Sequence, residues 1–126
     1  QLLTDLLVAN NFLVTEAEDG PEAISLTTSW KPDLILLDVA MPGLDGYETC
    51  ARIKALPEGR ETPVLFISAL TQPEDQEAGF AVGGVDYITK PIRGKEVLAR
   101  IANHLRIATL QRGLREQNSR LIEANT

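Results

Sequence analysis

A chain of 126 residues, 44% of them apolar, suits one soluble globular domain that buries roughly two-thirds of its unfolded surface. No apolar run approaches the roughly 18 residues of a membrane span, and a net charge of -6 argues against direct nucleic-acid binding, which needs a basic footprint. The single cysteine, Cys50, excludes an internal disulfide and fits a reducing cytoplasm.

Helical spacing is present from the start, in Leu2, Leu3, Leu6 and Leu7, so Gln1 reads as already inside a helix that ends near Asn10-Asn11. The opening residues carry an early acid, Asp5, and no basic start, so they do not read as a signal peptide. Phe12–Ala17 has mixed faces and predicts an edge strand. Asp19-Gly20-Pro21 then opens a helix, with Asp19 as N-cap and Pro21 in its first turn, and Lys31-Pro32-Asp33 stops it. Leu34-Ile35-Leu36-Leu37-Asp38 is apolar until its last residue, the pattern of a strand covered on both faces. A turn-rich loop, residues 39–46, leads into a helix from Tyr47 to Leu56. After a polar loop comes a second buried strand, Val64-Leu65-Phe66-Ile67-Ser68. Pro73–Ala81 predicts a short helix closed by Gly83-Gly84, and Asp86–Lys90 a last strand. Strands separated by helical stretches of about ten residues indicate parallel βα units.

One long helix, about 29 residues, is expected from Gly94 onward. Its first apolar seam, Leu98, Ile101, Leu105 and Ala108, suits covering the sheet. A second, rotated seam follows in Ile107, Leu110, Leu114, Gln117 and Leu121. That seam reads as a short coiled coil or linker helix, with a solvated helix tail as the bland alternative.

Three strands therefore end on, or just at, Asp38, Ser68 and Lys90, and parallel strand ends lie side by side where ligands bind. A carboxylate, a hydroxyl and an ammonium on one rim suit a phosphoryl group: Asp38 to accept it, Ser68 to hydrogen-bond an oxygen, Lys90 to neutralise charge. Taken singly, each is more often an ordinary strand cap. The three in chain order, each closing an apolar run, carry the functional reading. Tyr87 on residue type alone is a half-buried strand aromatic, Met41 a loop residue, His104 a surface helix residue, and Cys50 core filling. No G-x-G-x-x-G or G-x-x-x-x-G-K-[ST] run is present, which leaves little for a nucleotide-binding enzyme.

The stretches Ala17–Ala23, Pro32–Gly46, Pro63–Ala69 and Gly84–Pro91 resemble the receiver domain of bacterial response regulators in two-component signalling. The resemblance covers residues 1 to about 108, leaving 109–126 as a helical linker extension. It implies a flavodoxin-like, doubly wound α/β sheet in the order 2-1-3-4-5. It also implies that Asp38 is phosphorylated by a histidine kinase, that Ser68 and Lys90 contact the phosphoryl group, and that Tyr87 is the switch aromatic. Pro91 would follow Lys90 through a cis peptide bond. Mg²⁺ would bind Asp38 and the Ala40 backbone carbonyl, and Gly43 and Gly46 would serve the loop over the site. The domain itself would be no enzyme, relaying its state to an output domain or partner protein.

The chain departs from the family at its start. Receivers open with a strand ending in two adjacent acids, and here the first helix is already under way at Gln1. Glu16, Glu18, Asp19 and Asp5 lie elsewhere and cannot substitute. Mg²⁺ binding is therefore expected to be weak or absent. Three arrangements of the sheet follow as expectations: a fragment of a longer chain, an edge strand moved across to pair with Leu34–Asp38, or a swapped dimer. A homodimer through the C-terminal helix is a further option. The competing function is a pseudo-receiver, an interaction or dimerisation module that keeps the fold without phosphorylation.

Overall fold

The computed structural model describes residues 2–40, 43–69 and 73–124. Eight elements alternate along it: α1 (Leu2–Ala9), α2 (Gly20–Ser29), β1 (Ile35–Asp38), α3 (Gly46–Ala55), β2 (Val64–Ser68), α4 (Pro73–Ala81), β3 (Asp86–Thr89) and α5 (Gly94–Ala124). The strands form one parallel sheet in the order β1-β2-β3. Every residue of the central β2 is buried, as its unbroken apolar run requires of a strand covered on both faces.

Alternation along the strands divides the core in two. Leu65, Ile67 and Ile88 face Leu7 of α1 and Val97 and Ile101 of α5. Val64, Phe66, Leu37 and Tyr87 pack on the other face with Cys50 of α3. Burial, slightly offset by nearby Lys54, pushes the Cys50 thiol up to about 11, so it stays an uncharged, unreactive core group at neutral pH.

Local signals fold as their chemistry dictates. α1 ends at Asn10-Asn11, where Asn11 takes a left-handed φ of 70° and its N–H donates to the Val8 carbonyl at 3.0 Å. Asp19 caps α2, its Oδ1 accepting the Glu22 N–H at 2.9 Å.

Two expectations are corrected here. Phe12–Ala17 forms neither helix nor ladder, and among the described residues β1 pairs only with β2. The segment therefore has not moved across to β1. Phe12 and Val14 still pack against the core beside α1 and α5, while Leu13 is 86% exposed. The Phe12 N–H donates to the Leu7 carbonyl at 3.0 Å, closing α1, and a strand needs a neighbouring ladder that none of the described residues forms with this segment.

His104, expected at the surface, is the second correction. Its side chain is only 14% exposed, and Nε2 lies 2.9 Å from Asp86 Oδ2. Asp86 Oδ1 accepts hydrogen bonds from Arg100 Nη1 at 2.6 Å and from the Tyr87 N–H at 2.8 Å. Arg100 in turn reaches Glu96 at 3.3 Å. This cluster fastens α5 to the start of β3. α5 runs without a break through 31 residues in all, slightly longer than expected, and continues beyond this cluster to Ala124.

Burial alone would raise the Asp86 carboxyl, but hydrogen bonds from His104, the Tyr87 N–H and Arg100, with the Arg100 charge, hold it below its ordinary 3.8. A carboxyl lowered by folding stabilises the protein at neutral pH. That contribution drains away as pH falls through 3.8 toward the lower folded value. Asp86→Asn is therefore expected to cost about 1 kcal/mol at neutral pH and to flatten the acid limb of stability. Urea midpoints measured from neutral pH down into the acid range check both effects; a variant with an unchanged acid limb would refute the assignment.

Candidate functional site at the strand ends

The register of the sheet assembles the site. Asp38, the last residue of β1, lies opposite Ile67, and Ser68, the last residue of β2, lies opposite Thr89. The Lys90 N–H donates to the Ser68 carbonyl at 2.9 Å, carrying the ladder one residue past β3. Three residues remote in sequence thus share one rim.

Lys90 Nζ reaches Asp38 Oδ2 at 3.2 Å, an ion pair between groups 52 residues apart. The other carboxylate oxygen, Oδ1, accepts the Ala40 N–H at 3.0 Å, which fixes the plane of the carboxylate. Both charged side chains stay accessible, Asp38 at 40% and Lys90 at 44%. Ser68 is buried at 3% and sits between them at the end of the middle strand. The Lys90–Pro91 peptide bond is cis. Met41 and Pro42, in the loop over the site, lie outside the described residues.

Gly43 and Gly46 shape the described part of that loop. Gly43 has a φ of 76°, which favours glycine. Gly46 donates its N–H to the Val39 carbonyl at 3.0 Å, and a Cβ on it would meet the Asp38 carbonyl oxygen and lie 2.8 Å from Val39 Cα. Asp45 caps α3 through Oδ1 to the Glu48 N–H at 2.9 Å, and its carbonyl accepts the Thr49 hydroxyl at 2.8 Å.

Tyr87 is buried, its ring centroid 5.3 Å from Phe66 and 5.8 Å from Phe80. Its hydroxyl lies 3.0 Å from that of Tyr47, in the first turn of α3. In the sequence Tyr47 shows only as the residue that opens a helix, because a contact across 40 positions has no periodic signal. A small groove of about 180 Å³ beside the site is lined by Lys90, Pro91, Arg93 and Glu96. A larger one, about 240 Å³, lies between α5 and the 60–63 segment, and none of Asp38, Ser68 or Lys90 lines it.

A single accessible carboxylate, fixed through one oxygen and facing an ammonium through the other, can act as a nucleophile toward an anionic phosphoryl group. The fit to Mg²⁺ is poorer. Among the described residues no group of three or more His, Cys, Asp or Glu side chains is placed to hold a metal ion. Asp38 is the one carboxylate of the trio, and its Oδ2 already faces Lys90.

Comparison with known proteins agrees with this architecture. A family model described as "Response regulator receiver domain" matches residues 1–102. The chain is 37% identical over 119 residues to response regulator PleD of Caulobacter vibrioides, covering 94% of this chain but 26% of PleD. It thus spans about a quarter of that protein's length. Chemotaxis protein CheY4 of Vibrio cholerae superposes with a TM-score of 0.79 at 28% identity, over 82% of this chain and 86% of that one. The receiver domain of sensor histidine kinase PA1611 from Pseudomonas aeruginosa, solved with magnesium coordinated in its active site cleft, gives 0.77 at 28% identity, over 82% and 85%. The chain belongs to the response regulator receiver domain family, with that family's doubly wound α/β fold. It is a signalling domain of two-component systems. Among the described residues, no helix is long and apolar enough to cross a membrane.

The loop over this site depends on the Asp45 cap. Asp45→Ala is expected to lower stability by about 1 kcal/mol, read as a reduced urea midpoint with an unchanged denaturant slope.

Proposed function

We propose that this domain is a phosphoacceptor switch. Asp38 takes a phosphoryl group from the phosphohistidine of a histidine kinase. One Asp38 oxygen attacks phosphorus, a P–O bond forms, the P–N bond breaks, and the released imidazole nitrogen takes up a proton. Lys90 neutralises charge on the transferred group, and Ser68 donates a hydrogen bond to one of its oxygens. Tyr87 carries the change toward the face made by α4, β3 and α5. The observation that supports this reading best is the 3.2 Å approach of Lys90 to the accessible Asp38 carboxylate at the shared strand end.

Among the described residues, Mg²⁺ would have Asp38 and the Ala40 carbonyl as ligands, with water and phosphoryl oxygens completing its shell. Its binding is weak and Asp38 labels slowly with a small phosphodonor. Intact mass after incubation with acetyl phosphate, with and without Mg²⁺, tests this. Wild type is expected to gain one phosphoryl group slowly and Asp38→Asn none. Rapid, Mg²⁺-dependent labelling would overturn the weak-metal reading. Complete failure to label, from acetyl phosphate or a phosphorylated kinase, would favour the alternative: a pseudo-receiver that works through protein contacts alone. The lone carboxylate of the trio is what keeps that alternative in view.

Residues 1–108 form the switch body in this reading, and 109–126 a linker to an output domain or partner. The location is cytoplasmic, and the acidic balance leaves no direct nucleic-acid role to this domain. Ile107, Leu110 and Leu114 are 39%, 61% and 62% exposed on α5, and Gln117 extends their 3-4 spacing. This stripe pairs with its copy in a second chain. Replacing both Leu110 and Leu114 with Arg is expected to convert a concentration-dependent dimer to a monomer in sedimentation equilibrium. A wild-type chain that stays monomeric at high concentration would remove this part of the proposal.

A further inference from the structure

Tyr87 sits in a receptacle made by other residues. Its ring lies between Phe66 and Phe80, and its hydroxyl is 3.0 Å from that of Tyr47. Gly79 of α4 leaves the space: a Cβ there would collide with the Tyr87 hydroxyl and approach its Cζ to 2.8 Å. Tyr47 is itself packed on Phe66, with ring centroids 5.1 Å apart and planes tilted by 60°. The inward position of Tyr87 is therefore supported by packing from α4 and β2 and by the hydroxyl contact from α3.

The other end of that contact leads to the site. Tyr47 follows Gly46 directly, and Gly46 presses its backbone against the Asp38 carbonyl and Val39 with no room for a side chain. The Asp45 cap ties the same turn to the helix that carries Tyr47. A shift of the Asp38–Val39 backbone must therefore move the first turn of α3, because close-packed groups cannot absorb it. Tyr87 contacts that turn through its hydroxyl.

We infer that Tyr47 is a positioning residue. Its hydroxyl holds Tyr87 inward and gives Asp38 a mechanical link to β3 and α4 that does not run through Ser68. This deepens the switch reading by naming a route from the acceptor to Phe80, which is 51% exposed on α4. It differs from that reading in what it requires, since the link exists whether or not Asp38 takes a phosphoryl group.

The chain has two tyrosines, so 3-fluorotyrosine labelling gives two ¹⁹F resonances, assigned by their loss in Tyr47→Phe and Tyr87→Phe. Phenylalanine keeps the ring packing of Tyr47 and removes only its hydroxyl. In Tyr47→Phe the Tyr87 resonance is expected to move toward that of the free amino acid, with a larger shift between H₂O and D₂O. The exposed neighbour substitution Glu48→Ala should leave it in place. In a Ser68→Ala background, Asp38→Asn should still move the Tyr87 resonance, and adding Tyr47→Phe should abolish that movement. All variants are compared after checking that each unfolds cooperatively. A Tyr87 resonance unchanged by Tyr47→Phe, or an undiminished response to Asp38→Asn in the Ser68→Ala/Tyr47→Phe chain, overturns the inference. No phosphodonor enters the experiment, so a failure of Asp38 to label leaves this result independent.

Discussion

The parallel register of the three strands is the constraint on which the site depends. Asp38 meets Lys90 because Asp38 pairs with Ile67, Ser68 with Thr89, and the Lys90 N–H with the Ser68 carbonyl. A slip of one residue would turn every side chain of a strand to the opposite face. Val64, Leu65 and Phe66 are wholly buried, with Leu65 facing α1 and α5 and the other two facing α3. The core on each side thus opposes any slip, and the energy that fixes the register comes from apolar burial rather than from the polar groups at the rim.

How much of this was legible in the sequence varies by element for physical reasons. β2 could be read because a strand buried on both faces must be apolar until it ends; β1 carries the same apolar run, although of its four residues only Leu37 is buried. The caps at Asp19 and the left-handed turn at Asn11 could be read because they are local bargains between adjacent residues. Phe12–Ala17 misled because its mixed faces report only how side chains divide between core and solvent, whereas a strand also needs backbone partners that lie elsewhere. His104 misled because its partner, Asp86, is 18 residues away on another element, and residue type alone gives no hint of it. The Tyr47–Tyr87 contact was hidden for the same reason. Contacts between side chains of distant elements are tertiary facts, and only the residue types able to make them are visible in advance.

β3 carries charge at both ends, and the two ends do different work. At its start Asp86 gathers Arg100 and His104 and so ties α5 to the sheet. Just past its other end Lys90 faces Asp38. α5 itself bears two apolar stripes that a helical repeat of 3.6 residues places on nearly opposite sides. Leu98, Ile101 and Leu105 lie against the core, whereas Leu110 and Leu114 face outward. A helix clamped at one end by β3 and apolar on its far side is suited to transmitting small movements of the sheet, since a rotation at the clamp becomes a displacement along its length.

The ion pair at the site is better suited to exchange than to stability. With both side chains about two-fifths exposed, Lys90 and Asp38 form a pair of the kind that contributes roughly 0–1 kcal/mol to folding. An incoming phosphoryl group brings more negative charge and more acceptor oxygens than the carboxylate offers, so it can draw the Lys90 ammonium away at little cost. Had the pair been buried, breaking it would have left a desolvated charge behind and cost several kcal/mol. The Asp38 carboxylate is instead held through its other oxygen by the Ala40 N–H, a contact that would not have to break in the proposed reaction at Oδ2. The division of the carboxylate between one fixed and one exchangeable oxygen follows from the site standing at the accessible rim of the sheet. Moving the same three residues two positions back along their strands would keep the fold-determining register but bury the charges and remove that freedom.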